Sequence, residues 1–356
     1  MKVLLLGDYS SLHKYLYDGL KQIEGVEVDF ASNGDGWKKI DSMNELYPTC
    51  HSGMRGLFDR LIVPFFKLSK YRGYDIVQFI NPVVYPWLIN ATAIKKICKQ
   101  NSHVSLVAAG DDIAVIEAYK RGVFRFYIYD YAPEVLNDYL NGVKGIFLRI
   151  SNKIMLNNAD MIIPSLFEYA IGYNCEKRAQ TIPFPINTDE IEYQPNIVGN
   201  KIKIFHGISR SNVKGTPKIK EAMERIARDY PNDVEIIYAE RMPQAEYMEL
   251  MRTSNVVVDQ CYGYGYGINA CIAMAMGKVV LSSCQKETIE DFAISETPLI
   301  SIDPNVGSIY NALKMLVNNR QSIHMLGEKS RAYIEKEHDY IRVANKYLTN
   351  WSKILK

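Results

Sequence analysis

Apolar residues recur along this chain as short, largely apolar runs, each separated from the next by a longer stretch of mixed polarity. Val3–Leu6, Val26–Phe30, Ile76–Ile80, Val104–Ala108 and Met161–Ile163 form a first series. Runs of this length bounded by polar or glycine positions are what buried strands look like. Between the first two, Leu12, Leu16, Leu20 and Ile23 recur at helical spacing and give one apolar face. Residues 157–165 read as a helix end, a short buried strand and a serine, Ser165, placed to cap the next helix. A second series follows: Ile202–Phe205, Val234–Tyr238, Val256–Val258, Val279–Leu281 and Pro298–Ile302. Helices are expected from about Thr216 to Arg228, up to Thr253, and from Ile268 onward. From Ile309 to Lys356 nearly every residue favours helix, with Leu313, Leu316, Tyr333, Tyr340 and Tyr347 as apolar faces. Strands alternating with helices from end to end predict an α/β protein with parallel sheets.

The two series are separated by Ile182–Pro195, a proline-rich stretch without periodicity that reads as an interdomain linker. A chain of 356 residues has room for two cores. The expected division is a first domain over 1–185, a second over 186–336 and a terminal helix over 337–356. Hydrophobic residues make up 47% and charged residues 23%, an ordinary globular balance. A net charge of +2 is too small to call for nucleic acid as a partner. The six cysteines are scattered with no Cys-x-x-Cys pair, so buried thiols in a reducing compartment are expected and a zinc site is not. Met1–Gly7 reads as a strand, being too short for a signal-peptide core, and no apolar run is long enough to span a bilayer. The expectation is a cytoplasmic protein with scope for peripheral contact at the inner face of a membrane.

Residues 258–270 are the oddest stretch: three Tyr-Gly pairs stand between a short apolar run and a helix of small residues. Glycine there gives up helix and strand stability, so the loop is suited to a ligand that approaches bare backbone. A glycine-rich turn feeding a helix N-terminus at Ile268 offers free N–H groups and a positive dipole end, both favourable to phosphate. Its spacing is neither a dinucleotide fingerprint nor a P-loop, and tight packing alone would also account for the glycines. Just past the second domain's first strand stand Gly207, Arg210 and Lys214. A glycine with a guanidinium and an ammonium suits a diphosphate clamp; the alternative is a solvated loop with two surface cations.

In the first domain, Asp111 and Asp112 follow a strand end, where carboxylates suit hydroxyl binding or proton handling. A polar turn with one Asp capping a short helix explains them equally. His13 lies on the first strand-to-helix turn, as a site residue or as a satisfied histidine. Residues 54–72 mix bulky apolar and basic side chains, interrupted by Pro64, and residues 119–127 have a similar character. Both suit a peripheral membrane face, or a buried helix with a solvated edge.

Taken in order, these features resemble the GT-B fold glycosyltransferases, specifically the nucleotide-sugar family often called family 4 or group 1. In that family a strand ending in Asp-Gln or similar leads to a Glu-x-Phe/Tyr-Gly loop and then to Glu-Ala-Met-Ala-x-Gly-Lys-Pro-Val. Here Asp259 and Gln260 are followed by Tyr264–Gly267 and then by Ile272–Val280. Residues 206–215 are similar to the family's Gly-Arg-x-x-x-x-Lys-Gly clamp, residues 159–165 to its Ala-Asp-x-Ile-Ile-x-x-Ser, and residues 181–186 sit where its linker would be. Residues 108–113 resemble its Gly-Ser-Asp turn, with Asp112 in the Asp position. Residues 337–340 and the helix after them resemble the segment that crosses back onto the first domain.

The resemblance implies two doubly wound Rossmann-like domains flanking an active cleft, and a UDP- or GDP-sugar donor. It further implies retention without a metal and a glycan, lipid-linked or small-molecule acceptor, as in polysaccharide or glycoconjugate biosynthesis. The diphosphate would be held by Gly207, Arg210, Lys214 and the loop Tyr264, Gly265, Tyr266, Gly267, Ile268 and Asn269. The family's two glutamates, spaced Glu-x7-Glu, fall on Tyr264 and Ile272, and neither offers a carboxylate; Glu240 or Asp259 could approach from neighbouring strand ends, and Tyr262, Tyr264 and Tyr266 either line the pocket or, for at least one of them, belong to the core. That departure keeps two alternatives in view, a catalytically impaired binding or regulatory protein and a GT-B nucleotide-sugar epimerase.

Overall fold

The structure, a computed structural model, describes residues 1–34, 44–208 and 211–355, with residues 211 and 212 described by their backbone alone. The chain forms two compact units. One comprises Met1–Val123, Glu134–Pro185 and Tyr340–Lys356, and the other Phe124–Pro133 and Ile186–Asp339.

The first unit is built on β1 (Lys2–Leu6), β2 (Glu27–Ala31), β3 (Ile76–Phe79), β4 (His103–Ala108) and β5 (Met161–Pro164). All are parallel, in the order β2-β1-β3-β4-β5. Central β1 pairs Val3 with Val28 on one side and with Ile76 on the other. Val3, Leu4, Leu5 and Leu6 are all buried, each contributing about 1.5–3 kcal/mol of apolar transfer. The helices are α1 (Leu12–Lys21), α2 (Gly53–Leu61), α3 (Val63–Lys67), α4 (Trp87–Gln100), α5 (Ile113–Lys120), α6 (Pro133–Asn141), α7 (Val143–Leu156) and α8 (Phe167–Gly172). Pro64 divides α2 from α3, since it stands in the first turn of α3, where its missing N–H is harmless. Ser165 does not cap α8; its hydroxyl donates to the Ala108 carbonyl, and Leu166 is the N-cap.

The second unit repeats the plan with β6 (Ile202–Ile208), β7 (Val234–Glu240), β8 (Val256–Val258), β9 (Val279–Ser282) and β10 (Ile300–Ser301), parallel, in the order β10-β9-β8-β6-β7. Its helices are α9 (Ser211–Lys214), α10 (Thr216–Asp229), α11 (Gln244–Arg252), α12 (Ile268–Ala275), α13 (Lys286–Asp291), α14 (Val306–Asn318) and α15 (Ser322–Glu337). Each of the ten apolar runs is a strand. In both sheets the order of strands reverses beside the first strand, between β1 and β3 and between β6 and β8. Ligands of doubly wound sheets bind at the carboxyl ends of the strands flanking such a reversal.

The final helix, α16 (Tyr340–Ile354), belongs to the first unit and packs on α1. The two helices meet at Gly19, where a β-carbon would overlap the Tyr340 carbonyl. Helix propensity alone would make Gly19→Ala stabilising by about 1 kcal/mol. Overpacking against backbone reverses the sign, so Gly19→Ala is expected to destabilise by about 1–3 kcal/mol in urea unfolding. A gain in stability would remove the close α1–α16 packing.

Candidate functional site

At the reversal in the second sheet, strand β6 ends at Gly207 and Ile208. A β-carbon on Gly207 would collide with the hydroxyl and ring of Tyr247 from α11, so only glycine leaves room there. Arg210 of the expected clamp lies outside the described residues. The chain then turns through α9 and returns Lys214, whose ammonium lies 2.8 Å from Oδ1 of Asp259, just past the end of β8. The two side chains are only 10% and 3% exposed. Asp259 Oδ2 has no hydrogen-bond partner among the described residues. It lies about 3.8 Å from where a β-carbon on Gly267 would be. Gly267 is the N-cap of α12, and no side chain caps that helix. Its first-turn amides at Ile268, Asn269 and Ala270 have no acceptor within the helix. The side-chain Nδ2 of Asn269 donates to the Tyr247 hydroxyl at 3.4 Å. One small region thus holds a buried cation, an open helix N-terminus and a carboxylate oxygen able to accept a ligand's O–H.

Beside this cluster His206 is fully buried, with Nδ1 2.7 Å from the Val258 carbonyl and Nε2 3.0 Å from the Thr216 hydroxyl. Burial pushes its pKa down to about 4, against the raising effect of the Val258 carbonyl. It is a neutral brace between β6, β8 and α10 at pH 7.

The three tyrosines of the glycine loop all turn inward. Tyr262 stacks on Tyr131 with centroids 4.0 Å apart. Tyr264 stacks on Phe126 at 5.1 Å, and its hydroxyl accepts from the Arg125 amide at 2.6 Å. Tyr266 is fully buried, its hydroxyl 2.6 Å from that of Tyr333 and 3.0 Å from Nε2 of His338. At Tyr264 and Tyr266 the rings are therefore packing anchors, and a ligand at this loop meets the backbone of Gly265–Asn269. Ile272 is likewise buried along α12. Phe124–Tyr127 were expected to share a membrane-facing character with residues 119–123. They belong to the second unit, where Phe126 and the Arg125 amide are what Tyr264 packs against, and Arg125 also pairs with Glu287 at 2.9 Å.

In the first unit, Asp112 is the N-cap of α5, accepting from the Ala114 amide at 2.8 Å and from the Tyr173 hydroxyl at 2.9 Å. Burial raises its pKa to about 6, against these two donors. Asp111 is more exposed and pairs with Lys144 at 3.0 Å. His13 is fully buried. Ser105 donates to Oε1 of Gln78, which turns the Gln78 amide nitrogen toward His13 Nε2 at 3.2 Å, while Nδ1 lies 2.7 Å from the Gly7 carbonyl. Both ring nitrogens are thus engaged within the fold, and burial pushes the pKa down to about 3. Of the two carboxylates considered from neighbouring strand ends, Asp259 is the one set against Lys214; what the sequence did not signal is their contact, since 45 residues separate them and the β6–β8 pairing brings them together.

Among the described residues no group of three or more His, Cys, Asp or Glu side chains converges as a metal site, and no helix is long and apolar enough to cross a membrane.

No family model and no curated protein sequence matches this chain. Solved structures do match. Sucrose-phosphate synthase from Thermosynechococcus elongatus aligns over 99% of this chain and 99% of its own, with a TM-score of 0.65 at 14% identity. Anabaena HepE, solved in complex with UDP and glucose and also with UDP-glucose, aligns over 99% and 100%, with a TM-score of 0.64 at 13% identity. The UDP-GlcNAc 2-epimerase of Neisseria meningitidis, bound to UDP-GlcNAc, aligns over 99% and 100%, with a TM-score of 0.56 at 11% identity. The chain has the GT-B fold, two doubly wound parallel five-stranded sheets with flanking helices, and the likeness spans its whole length.

Two outcomes follow from this geometry. Lys214→Met strands Asp259 in a buried place and is expected to destabilise by about 3–5 kcal/mol, whereas Lys214→Met with Asp259→Leu should return to within about 1 kcal/mol of the parent. Equal losses in single and double variants, in denaturant melts, would mean that the pair is not coupled. Asp112 is protonated in the folded state up to about pH 6 but in the unfolded chain only below about 4, so its contribution weakens stability as pH rises through that window. Asp112→Asn should therefore gain on the parent by about 3 kcal/mol between pH 4 and pH 7. His13 and His206 act in the opposite direction in both proteins and cancel from this difference. A pH-independent difference would contradict it.

Proposed function

We propose that this protein is a glycosyltransferase of the group 1 kind, moving a sugar from a UDP- or GDP-sugar to an acceptor hydroxyl. The observation that carries this is the buried Lys214–Asp259 pair set against the uncapped N-terminus of α12 at the strand reversal. A diphosphate there would draw on the Lys214 ammonium, the Arg210 guanidinium and the amides of Gly267–Asn269. Those groups lower the barrier by stabilising the negative charge that builds on the departing diphosphate. The Asp259 oxygen without a partner supplies the hydroxyl acceptor that Tyr264 and Ile272 do not. Cations and amides suffice for the diphosphate, so the transfer runs without a metal and, in keeping with the family resemblance, with retention. Asp111, solvent-accessible at the first sheet's edge, is the first-unit carboxylate best suited to acceptor hydroxyls. The acceptor is a glycan, a lipid-linked sugar or a small molecule, and the protein works at the cytoplasmic side, in contact with a membrane surface.

A second activity on the same site, epimerisation of a nucleotide sugar, is favoured by the likeness to UDP-GlcNAc 2-epimerases. The two are separated by the dependence of diphosphate release on acceptor. Thermal shifts with UDP, GDP and their sugars are expected to pick out one base. Arg210→Ala should weaken that nucleotide by about 1.5–3 kcal/mol, the worth of a charge-assisted hydrogen bond. Absence of any shift with the whole set would end both enzymatic readings. Diphosphate release without acceptor, alongside an isomerised sugar, would replace transferase by epimerase.

A further inference from the structure

Large apolar side chains at the surface are concentrated on the first unit. Among the described residues, sixteen are exposed, and ten of these stand on α2, α3, the segment joining them, the start of α4 and the outer face of α7. Helix α2 is inverted relative to a normal surface helix. It buries Gly56 and Asp59, the latter bonded to His51 at 2.7 Å, while Met54, Leu57 and Phe58 face solvent. Phe66 on α3 is 71% exposed. On α7, Val143, Ile146 and Ile150 form a stripe at helical spacing, all exposed. The stretch between Gly53 and Gly73 carries Arg55, Arg60, Lys67, Lys70 and Arg72 against the single, buried carboxylate of Asp59. Apolar side chains interleaved with cations are the pattern of a helix lying on an anionic lipid surface.

The same unit holds a cavity of about 680 Å³ at the carboxyl ends of β1, β2 and β3. Its walls are mainly apolar and aromatic, including Tyr9, Tyr47, Tyr85, Trp87 and Phe147, with few polar groups, Asp8, Asn33 and Lys144 among them. The size and lining suit an apolar ligand of moderate length. Wall and surface are continuous. Trp87, half-exposed at the mouth, contacts Phe147 of α7 with ring centroids 4.5 Å apart. The Lys67 ammonium donates to the Glu45 carbonyl at 2.6 Å, next to the wall residues Leu46 and Tyr47. Burial raises the Tyr47 pKa, and the charge of Arg60 on α2 works against that rise.

We infer that α2, α3 and the outer face of α7 dock on an anionic lipid bilayer, and that the cavity receives the hydrocarbon portion of a lipid acceptor held in that bilayer. The docking stands on this surface alone; the role of the lipid as acceptor rests on the transferase reading above. Charge selects the partner: five cations on one short stretch oppose a neutral or cationic surface. Apolar side chains flanking the mouth then let a chain pass from bilayer to cavity without crossing water.

The test uses the full chain. Vesicles of phosphatidylglycerol should carry the protein in flotation, those of phosphatidylcholine should not, and about 1 M NaCl should release it. Phe58→Glu with Phe66→Glu, both at exposed positions, should weaken flotation by about tenfold or more without changing the unfolding midpoint. In a Trp37→Phe background, with Trp351 buried, brominated acyl chains should quench Trp87 emission. Dansyl-undecanoic acid should bind the parent and the Phe58/Phe66 variant alike, and should bind at least tenfold more weakly in Val83→Trp, which sets a bulky ring into the cavity wall. No flotation, flotation indifferent to lipid charge, or probe binding that Val83→Trp weakens by less than that would overturn the inference. So would a dimer that the Phe58/Phe66 variant splits, since the face would then be covered by a second copy. If flotation and quenching hold while no nucleotide binds, the transferase reading falls and the lipid surface stands.

Discussion

Between β8 and α12 the chain must bring bare backbone to a sheet edge and still hold that backbone in one conformation. Glycine provides the close approach and at the same time gives the loop its greatest freedom in the unfolded chain. Rigidity therefore comes from the residues between the glycines. Tyr262, Tyr264 and Tyr266 each insert a ring into a different neighbour: Tyr131, Phe126, and the Tyr333–His338 pair. Their hydroxyls are satisfied too, by the Arg125 amide at Tyr264 and by Tyr333 and His338 at Tyr266. The alternation of Tyr and Gly is a division of labour, with rings for position and backbone for contact. The excursion of Phe124–Pro133 into the second unit follows from it, since that segment supplies two of the three anchors.

Asp259 has a more constrained role. An ammonium taken out of water costs several kcal/mol unless it is paired, and Lys214 is brought nearly out of water by the turn through α9. A carboxylate with both oxygens engaged would satisfy the lysine and close the site. Here one oxygen is engaged and the other faces the N-terminus of α12. The pair is thus stable enough to exist and still open to one more donor. Phosphate alone would leave that oxygen unsatisfied and would add repulsion. A ligand carrying both phosphate and hydroxyl groups, such as the nucleotide sugar proposed above, would meet every part of the cluster.

The strands were legible because each is an apolar run on which hydrophobic burial acts locally, and the β6 and β8 runs mark their own ends. One crossing of the chain between the units falls at Pro185–Ile186, inside the proline-rich stretch. What the chain conceals is pairing at a distance. The Lys214–Asp259 contact depends on parallel pairing of β6 with β8, which no local pattern encodes. The inward turn of the tyrosines was hidden for the same reason: Phe126 lies 138 residues before Tyr264. His13 looked like chemistry because histidine on a strand-to-helix turn is rare. Its engagement with Gly7 and Gln78 required β1 and β3 to be neighbours. Asp112 was visible both as a cap and as a proton-handling group, and its bonds to Ala114 and Tyr173 make the capping role concrete.

The two units solve opposite problems with the same sheet. In the second, the strand reversal is lined with glycines, a buried ion pair and the amides of a helix N-terminus, a polar edge. In the first, the same edge opens into an aromatic cavity, and the helices beside it bury glycine and aspartate while showing phenylalanine to solvent. Burial alone would favour the reverse orientation of α2, since Met54, Leu57 and Phe58, which are 82%, 51% and 53% exposed, give up part of the roughly 1.5–3 kcal/mol that full burial of each would bring. On the docking proposed above, a bilayer that covers those side chains while the protein works would return that loss. In that proposal Arg55, Arg60, Lys67, Lys70 and Arg72 favour a negatively charged cover, and the cavity in the same unit would give an apolar chain a place to go.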